Sequence, residues 1–178
     1  MENIAVIGAG NIGEALIAAL VESGVSPSSI AASNRSEERS EHLAQRYGVA
    51  TSSDNRAAAE DADAIFLCVK PGQIAEVIQE IGGKIERKDG SAVLISMAAG
   101  VSLASIEESL PAAGMPVARV MPNTPMLVGK GVLAVSFGRF VDEEQRELVR
   151  NLLAAAGLVV EVDEHQMDAV TALSGSGP

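Results

Sequence analysis

The chain has 178 residues, of which 47% are hydrophobic and 2% aromatic, so we expect a folded protein with an aliphatic core. A formal net charge of −11 argues against nucleic acid or an anionic membrane surface as a partner. Cys68 is the only cysteine, so an internal disulfide cannot form. The sequence contains no apolar run of about 18 residues, so no membrane span is predicted. With no secretory leader in view, these features indicate a soluble cytoplasmic protein.

The first element is an apolar strand that leads into a glycine-rich turn and a helix, over residues 1–7, 8–13 and 11–23. The turn has the pattern Gly-x-Gly-x-x-Gly, in which Gly8 permits a tight bend, Gly10 lets a pyrophosphate approach the backbone, and Gly13 lets helix and strand pack closely. The amides and positive dipole end of the helix would then face the anion. We predict a dinucleotide-binding turn, with a purely structural turn as the alternative.

Strand-like and helix-like segments then alternate along the chain. Further strands are predicted at residues 30–33, 49–51, 64–69, 92–97, 117–121, 132–137 and 158–162. Further helices are predicted at residues 37–47, 56–61, 73–81, 103–110, 143–156 and 164–173. Ser36, Ser102 and Asp142 are the expected N-caps, and Gly48 and the pair Gly82 and Gly83 are expected to end helices. The alternation predicts an α/β fold over residues 1–162, a Rossmann-type doubly wound and mostly parallel sheet.

Ligands of such sheets bind at the carboxyl ends of the strands, so the residues after each strand form the candidate site. These residues are small, polar or basic at positions 8–13, 33–36, 68–71, 97–100 and 121–125. Lys70 follows a buried strand and faces the predicted cofactor side. It either contacts the cofactor or is simply a basic residue at a strand end.

The exit of the second strand distinguishes the two nicotinamide coenzymes. A site for NAD(H) normally carries an acid about 20 residues past the glycines, where it binds the ribose 2′-hydroxyl. Here the exit is Ser33, Asn34, Arg35 and Ser36, with no acid. Because Arg35 can hold a 2′-phosphate by charge-assisted hydrogen bonds, we predict NADP(H), with NAD(H) as the alternative. Otherwise, Arg35 is an exposed surface charge.

The chain shows no Ser/His/Asp nucleophile set, and hydride transfer needs none because the cofactor carries the chemistry. We interpret His42 and His165 as solvated surface residues and Cys68 as a small buried hydrophobe. Asp163, Glu164, His165 and Asp168 match no metal-binding spacing, so no metal site is predicted.

The whole chain resembles the N-terminal part of pyrroline-5-carboxylate reductase, the last enzyme of proline synthesis. The resemblance runs through the glycine turn, residues 33–36, 66–71 and 98–101, and is most specific at residues 119–125 (RVMPNTP) and 168–178 (DAVTALSGSGP). It implies an NAD(P)H-dependent reduction of the cyclic imine 1-pyrroline-5-carboxylate to L-proline. The alternatives are a related reductase of another imine or hydroxy acid, and a non-catalytic NADP-binding regulator.

The motifs and the resemblance together define the predicted site. The cofactor-binding set is Ile7, Gly8, Ala9, Gly10, Asn11, Ile12, Gly13, Asn34, Arg35, Ser36, Asn55, Cys68, Val69, Lys70, Pro71, Ala98, Ala99 and Gly100. Asn55 enters from the resemblance. Catalytic residues are not identified, and the nearby candidates are Lys70, Asn123 and Thr124.

The resemblance also implies a second, all-helical domain that builds a homodimer or larger assembly and the substrate pocket. We expect residues 163–178 to be its start, with Ser176 as a helix cap and Pro178 in the first turn. The sequence therefore predicts a truncated form or proteolysed fragment, one that binds NADPH but turns over little imine.

Overall fold

A computed structural model describes residues 2–85 and 92–175 of the chain. All eight predicted strands are confirmed, with small shifts at their ends. They are β1 (Ile4–Ile7), β2 (Ile30–Ser33), β3 (Ala50–Ser52), β4 (Ala64–Leu67), β5 (Val93–Ser96), β6 (Val117–Met121), β7 (Gly131–Phe137) and β8 (Gly157–Glu161).

The strands form one sheet in the order β3-β2-β1-β4-β5-β6-β7-β8. The first six positions are parallel and follow the 3-2-1-4-5-6 order of dinucleotide-binding folds. Strand β7 runs antiparallel to β6, and β8 runs parallel to β7. The β6–β7 connection is too short for a parallel crossover, which needs a dozen or more residues, so the chain turns back beside β6. The prediction of a mostly parallel Rossmann-type sheet is confirmed.

Seven α-helices accompany these strands in the described part of the chain. They are α1 (Asn11–Glu22), α2 (Glu37–Tyr47), α3 (Asn55–Ala59), α4 (Ile74–Ile85), α5 (Leu103–Glu108), α6 (Glu143–Ala154) and α7 (Met167–Val170). The three predicted N-caps are confirmed, because Ser36, Ser102 and Asp142 each accept a backbone N–H of the first helical turn. No helix within residues 2–85 and 92–175 has the length and apolar character to cross a membrane.

Two helix predictions were wrong in their bounds. Helix α4 does not end at Gly82 and Gly83 but continues to Ile85, because Ile81 and Ile85 are both fully buried and hold its apolar face on the sheet. A Cβ on Gly82 would lie 3.3 Å from Pro111 Cγ, so the small residue permits a close approach there.

The segment 164–173 is not one α-helix. It is a 3₁₀ turn (Glu164–Gln166), the short α7 and a π turn (Thr171–Gly175). The caps predicted at Ser176 and Pro178 lie outside the described residues.

The core lies on both faces of the sheet. Along β1, Ile4 and Val6 belong to the apolar cluster on one face, which includes Leu16 of α1. Ala5 and Ile7 belong to the cluster on the other face, with Ile78 and Ile81 of α4. A strand covered on both faces has no polar alternation, which explains why its sequence is a continuous apolar run. The carboxyl ends of β1, β2 and β4 therefore open at one edge of a sheet whose central strands are covered on both faces.

Candidate functional site

The glycine-rich turn has the geometry that the sequence predicts. Gly8 has φ +76°, and a Cβ there would lie 2.4 Å from Val69 Cγ1. A Cβ on Gly13 would lie 3.1 Å from Val6 Cγ1, which explains how α1 packs so closely on β1. Gly10 differs from both, because the nearest atom to its Cβ position would be Gly8 O at 3.9 Å. Two glycines therefore serve close packing, and Gly10 leaves open space in front of the turn.

The amino end of α1 leaves backbone donors unused. The first helical hydrogen bond runs from Glu14 N to Gly10 O at 2.8 Å. Within the described residues, the amides of Asn11, Ile12 and Gly13 have no acceptor, and the N-cap Gly10 offers no side chain. Three N–H groups and the positive end of the helix dipole thus point to where an anion would bind.

The exit of β2 is attached to the glycine turn through Asn34. Its Nδ2 donates to Ala9 O at 2.9 Å, and its Oδ1 accepts from Ser36 N at 2.8 Å. Ser36 is occupied in turn as the N-cap of α2. Arg35, between them, is exposed and makes no ion pair in the described structure. The guanidinium of Arg35 is therefore available to a ligand, whereas its neighbours position the loop.

A cleft of about 510 Å³ lies in front of the turn. Eight predicted residues line it: Gly8, Gly10, Asn34, Arg35, Asn55, Cys68, Val69 and Lys70. Four lining residues were not predicted: Ser53, Gln73, Val77 and Glu80. Three of these four lie on or just before α4, at a spacing of three to four residues that puts them on one helix face. That spacing is the signal that could have found them.

The other predicted cofactor residues do not line this cleft. Six of them are next in sequence to lining residues, in the loops or in the turn of helix that follows: Ala9, Asn11, Ile12, Gly13, Ser36 and Pro71. Ile7 is fully buried in β1. Ala98, Ala99 and Gly100 follow β5 and thus lie farther along the same sheet edge, two strands from β1.

The catalytic candidates Asn123 and Thr124 follow β6, one strand beyond β5. The Asn123 amide is used at both ends, since its Nδ2 donates to Ser174 Oγ at 3.1 Å and its Oδ1 accepts from Val132 N at 2.9 Å. In this structure Asn123 holds the turn between β6 and β7 to the segment after α7.

A hydrogen-bonded chain connects the glycine turn to α4. Gly8 N donates to Ser33 Oγ at 3.3 Å, and Ser33 Oγ donates to Asn55 Oδ1 at 2.7 Å. Asn55 Nδ2 then donates to Glu80 Oε2 at 2.9 Å. The predicted residue Asn55 is therefore brought to the β2 exit and held there by a carboxylate that the sequence did not point to.

A charged cluster stands behind the turn, around Glu14 of α1. The Glu14 carboxylate binds Arg39 at 2.7 Å, His42 at 2.9 Å and the Tyr47 hydroxyl at 3.0 Å. Burial raises the pKa of Glu14, but the hydrogen bonds of His42 and Tyr47 and the charge of Arg39 outweigh it, so the pKa is lowered. His42 is exposed, as predicted, but its contact with Glu14 was not predicted, because it arises where α2 packs beside α1.

Cys68 and Lys70 end the β4 side of the cleft. Burial of the Cys68 thiol raises its pKa to about 12. The residue as a whole is half-buried and lines the cleft, so the prediction of a small buried hydrophobe is confirmed only in part. Lys70 is exposed and lines the cleft, as a phosphate or ribose contact would require. His165 is exposed, as expected, and no group of three metal-ligating side chains occurs within the described ranges.

The sheet order, the glycine turn and the cleft before it define a dinucleotide-binding domain of the Rossmann class. Residues 3–100 match the family model described as "NADP oxidoreductase coenzyme F420-dependent", and the chain belongs to this family of NADP oxidoreductases.

The similar proteins agree with the resemblance found in the sequence. The chain is 54% identical, over all of its 178 residues, to a pyrroline-5-carboxylate reductase of Corynebacterium melassecola, of which it covers 66%. The structure of a pyrroline-5-carboxylate reductase from Coxiella burnetii matches 99% of the chain with a TM-score of 0.94 and 36% identity, and the match covers 65% of that protein.

A Plasmodium falciparum pyrroline carboxylate reductase, crystallised with NADP bound, matches 99% of the chain with a TM-score of 0.87 and 26% identity. That match covers 63% of the Plasmodium chain. The chain thus spans slightly less than two thirds of the length of these relatives.

Proposed function

We propose that this chain is the coenzyme-binding part of an enzyme that reduces the C=N bond of 1-pyrroline-5-carboxylate to give L-proline. The observation that carries the proposal is the 54% identity over the whole chain with a pyrroline-5-carboxylate reductase. A coenzyme-binding site suits this reaction, because the coenzyme carries the hydride and the protein supplies orientation and electrostatics.

The described residues fit a dinucleotide. The open space before Gly10 and the three unused amides of α1 suit a pyrophosphate, which needs close backbone approach and donors. We assign Arg35 to the 2′-phosphate of the coenzyme. We assign Lys70 to a contact with a phosphate or a ribose of the coenzyme. The bound coenzyme would supply a hydride to the imine carbon, while the imine nitrogen takes a proton.

The residues on the substrate side lie along the sheet edge from Lys70 to Asn123 and Thr124. Both ends of the Asn123 amide are used internally, so its role there is to position the β6–β7 turn. A homodimer or larger assembly belongs to the same proposal and rests on the resemblance, and a cytoplasmic location is proposed from the composition of the sequence.

The reaction is tested by following the loss of NADPH absorbance with 1-pyrroline-5-carboxylate. The comparison assay supplies a hydroxy acid with NADP⁺, where oxidation of the hydroxyl would form NADPH and raise the absorbance. We expect the full-length protein to oxidise NADPH with the imine and to form proline. Turnover of the hydroxy acid alone would show a related reductase. Coenzyme binding without turnover of either substrate would show a regulator.

The coenzyme assignment is tested separately by binding. Replacing Arg35 with glutamine removes a charge-assisted contact, so we expect the Kd for NADPH to rise about tenfold or more and the Kd for NADH to stay within about twofold. Lys130→Gln is the matched control, since Lys130 is an exposed cation outside the cleft lining. Equal effects of Arg35→Gln on both coenzymes would refute the assignment.

A further inference from the structure

The cleft contains an acid that comes from α4. Among the residues that line this cleft in the described part of the chain, Glu80 is the one acidic side chain, facing the same space as Arg35 and Lys70. Its Oε2 accepts from Asn55 Nδ2 at 2.9 Å. Its other oxygen, Oε1, has no hydrogen-bond partner within residues 2–85 and 92–175. A half-buried carboxylate therefore has an unused acceptor at the ligand space.

The hydrogen bonds place this carboxylate close to the end of β2. Asn55 Oδ1 accepts from the hydroxyl of Ser33 at 2.7 Å, and Ser33 is the last residue of β2. Glu80 is thus two hydrogen bonds from the strand exit where dinucleotide-binding folds carry the acid that binds the ribose 2′-hydroxyl. The β2 exit of this chain has no acid of its own, and α4 brings one into the same cleft, linked to the exit through Asn55.

We propose that Glu80 is a specificity-determining residue for the coenzyme. Its Oε1 accepts a hydrogen bond from the 2′-hydroxyl of the adenosine ribose in NADH. Its negative charge opposes the 2′-phosphate of NADPH, and so works against Arg35. The site consequently accepts both coenzymes, and the balance of Arg35 and Glu80 determines their ratio. This inference rests on the proposed coenzyme binding and adds the residue that tunes it.

A purely positioning role for Glu80 makes a different prediction. The main-chain oxygen of Glu80 accepts from Arg56 Nε at 3.1 Å, and its Oε2 holds the Asn55 amide. Glutamine keeps that main-chain oxygen and can still accept from Asn55, but it carries no charge. Glu80→Gln therefore removes the charge and leaves the positioning contacts available.

The test measures Kd for NADH and NADPH by coenzyme fluorescence at constant ionic strength, because phosphate contacts depend on salt. In Glu80→Gln we expect the ratio of Kd(NADH) to Kd(NADPH) to rise about tenfold, equivalent to about 1.4 kcal/mol. Glu144→Gln is the control, since Glu144 is exposed on α6 and makes the same change of charge outside the cleft lining. It should leave the ratio unchanged.

A ratio that stays within about twofold in Glu80→Gln, or an equal loss of both affinities, would overturn the proposal. A second variant, Glu80→Asp, keeps the charge but shortens the side chain, and it should weaken NADH binding without improving NADPH binding. Wild-type protein that binds neither coenzyme would refute the proposed function itself. Wild-type protein that binds both, with no change of ratio in either variant, would refute only the role of Glu80.

Discussion

Replacing Gly8 with alanine tests the backbone of the glycine turn. Gly8 has φ +76°, which costs an L-residue about 1–2 kcal/mol. The added Cβ would also lie 2.4 Å from Val69 Cγ1, 3.2 Å from Val69 N and 3.3 Å from Val69 Cα. The side-chain atom can rotate away, but the two backbone atoms cannot, so β4 and β1 must separate slightly.

Gly48 provides a matched control for the magnitude. It has φ +74°, nearly the same as Gly8, but a Cβ there would meet Pro27 Cβ at an ordinary 3.6 Å. Gly48→Ala should therefore cost only the backbone strain, about 1–2 kcal/mol. Gly8→Ala should add an overpacking cost of about 1–3 kcal/mol. Their difference isolates the close approach of the turn to Val69.

The measurement is urea denaturation of both variants, followed by far-UV circular dichroism because the chain has no tryptophan. Val69 lines the cleft, so Gly8→Ala should also weaken NADPH binding, whereas Gly48→Ala should not. Equal free energies of unfolding for the two variants, within about 0.5 kcal/mol, would refute the packing argument.

Three further experiments test the glycine turn and the residues around it. Gly10→Ala adds a methyl group to open space, so we expect less than about 1 kcal/mol change in stability but about tenfold weaker NADPH binding by fluorescence titration; unchanged affinity would contradict this. The thiol of Cys68 should react more slowly with a disulfide reagent in the folded protein than in urea, because burial raises its pKa to about 12 and leaves little thiolate at pH 8; equal labelling rates in the folded and unfolded protein would contradict this. The lowered pKa of Glu14 means that its ionised form stabilises the folded state above its unfolded pKa, and that this stability is lost as pH falls through the folded pKa. Glu14→Gln should thus lose less stability than wild type on acidification from pH 7 to pH 3.5 in urea titrations, while the exposed Glu38→Gln should match wild type.

Much of the fold could be predicted from local sequence. Buried strands are continuous apolar runs. The N-cap residues predict where three helices begin: Ser36, Ser102 and Asp142. The predictions failed where a distant contact outweighed a local preference. Glycine at positions 82 and 83 favours a helix end, but burial of Ile85 carries α4 past it.

The part of the candidate site that depends on backbone conformation could be predicted from the sequence. Gly8, Gly10 and Gly13 have fixed spacing within one turn, so their roles can be read from adjacent residues. Side chains that meet across the fold carry no such signal. Asn55 and Glu80 are 25 positions apart, and so are Asn34 and Ala9.

The sequence by itself determined that a strand, a glycine turn and a helix would form a dinucleotide site, because those residues are consecutive and their backbone requirements are local. The tertiary structure alone decided that β7 reverses direction, that α2 sets His42 and Arg39 against Glu14, and that α4 brings Glu80 into the cleft. The two helix placements depend on which face of each helix packs on the sheet, and that choice is made by burial of apolar area over the whole chain rather than by any short stretch of it. The direction of β7 depends on the strand pairing that the short β6–β7 connection allows.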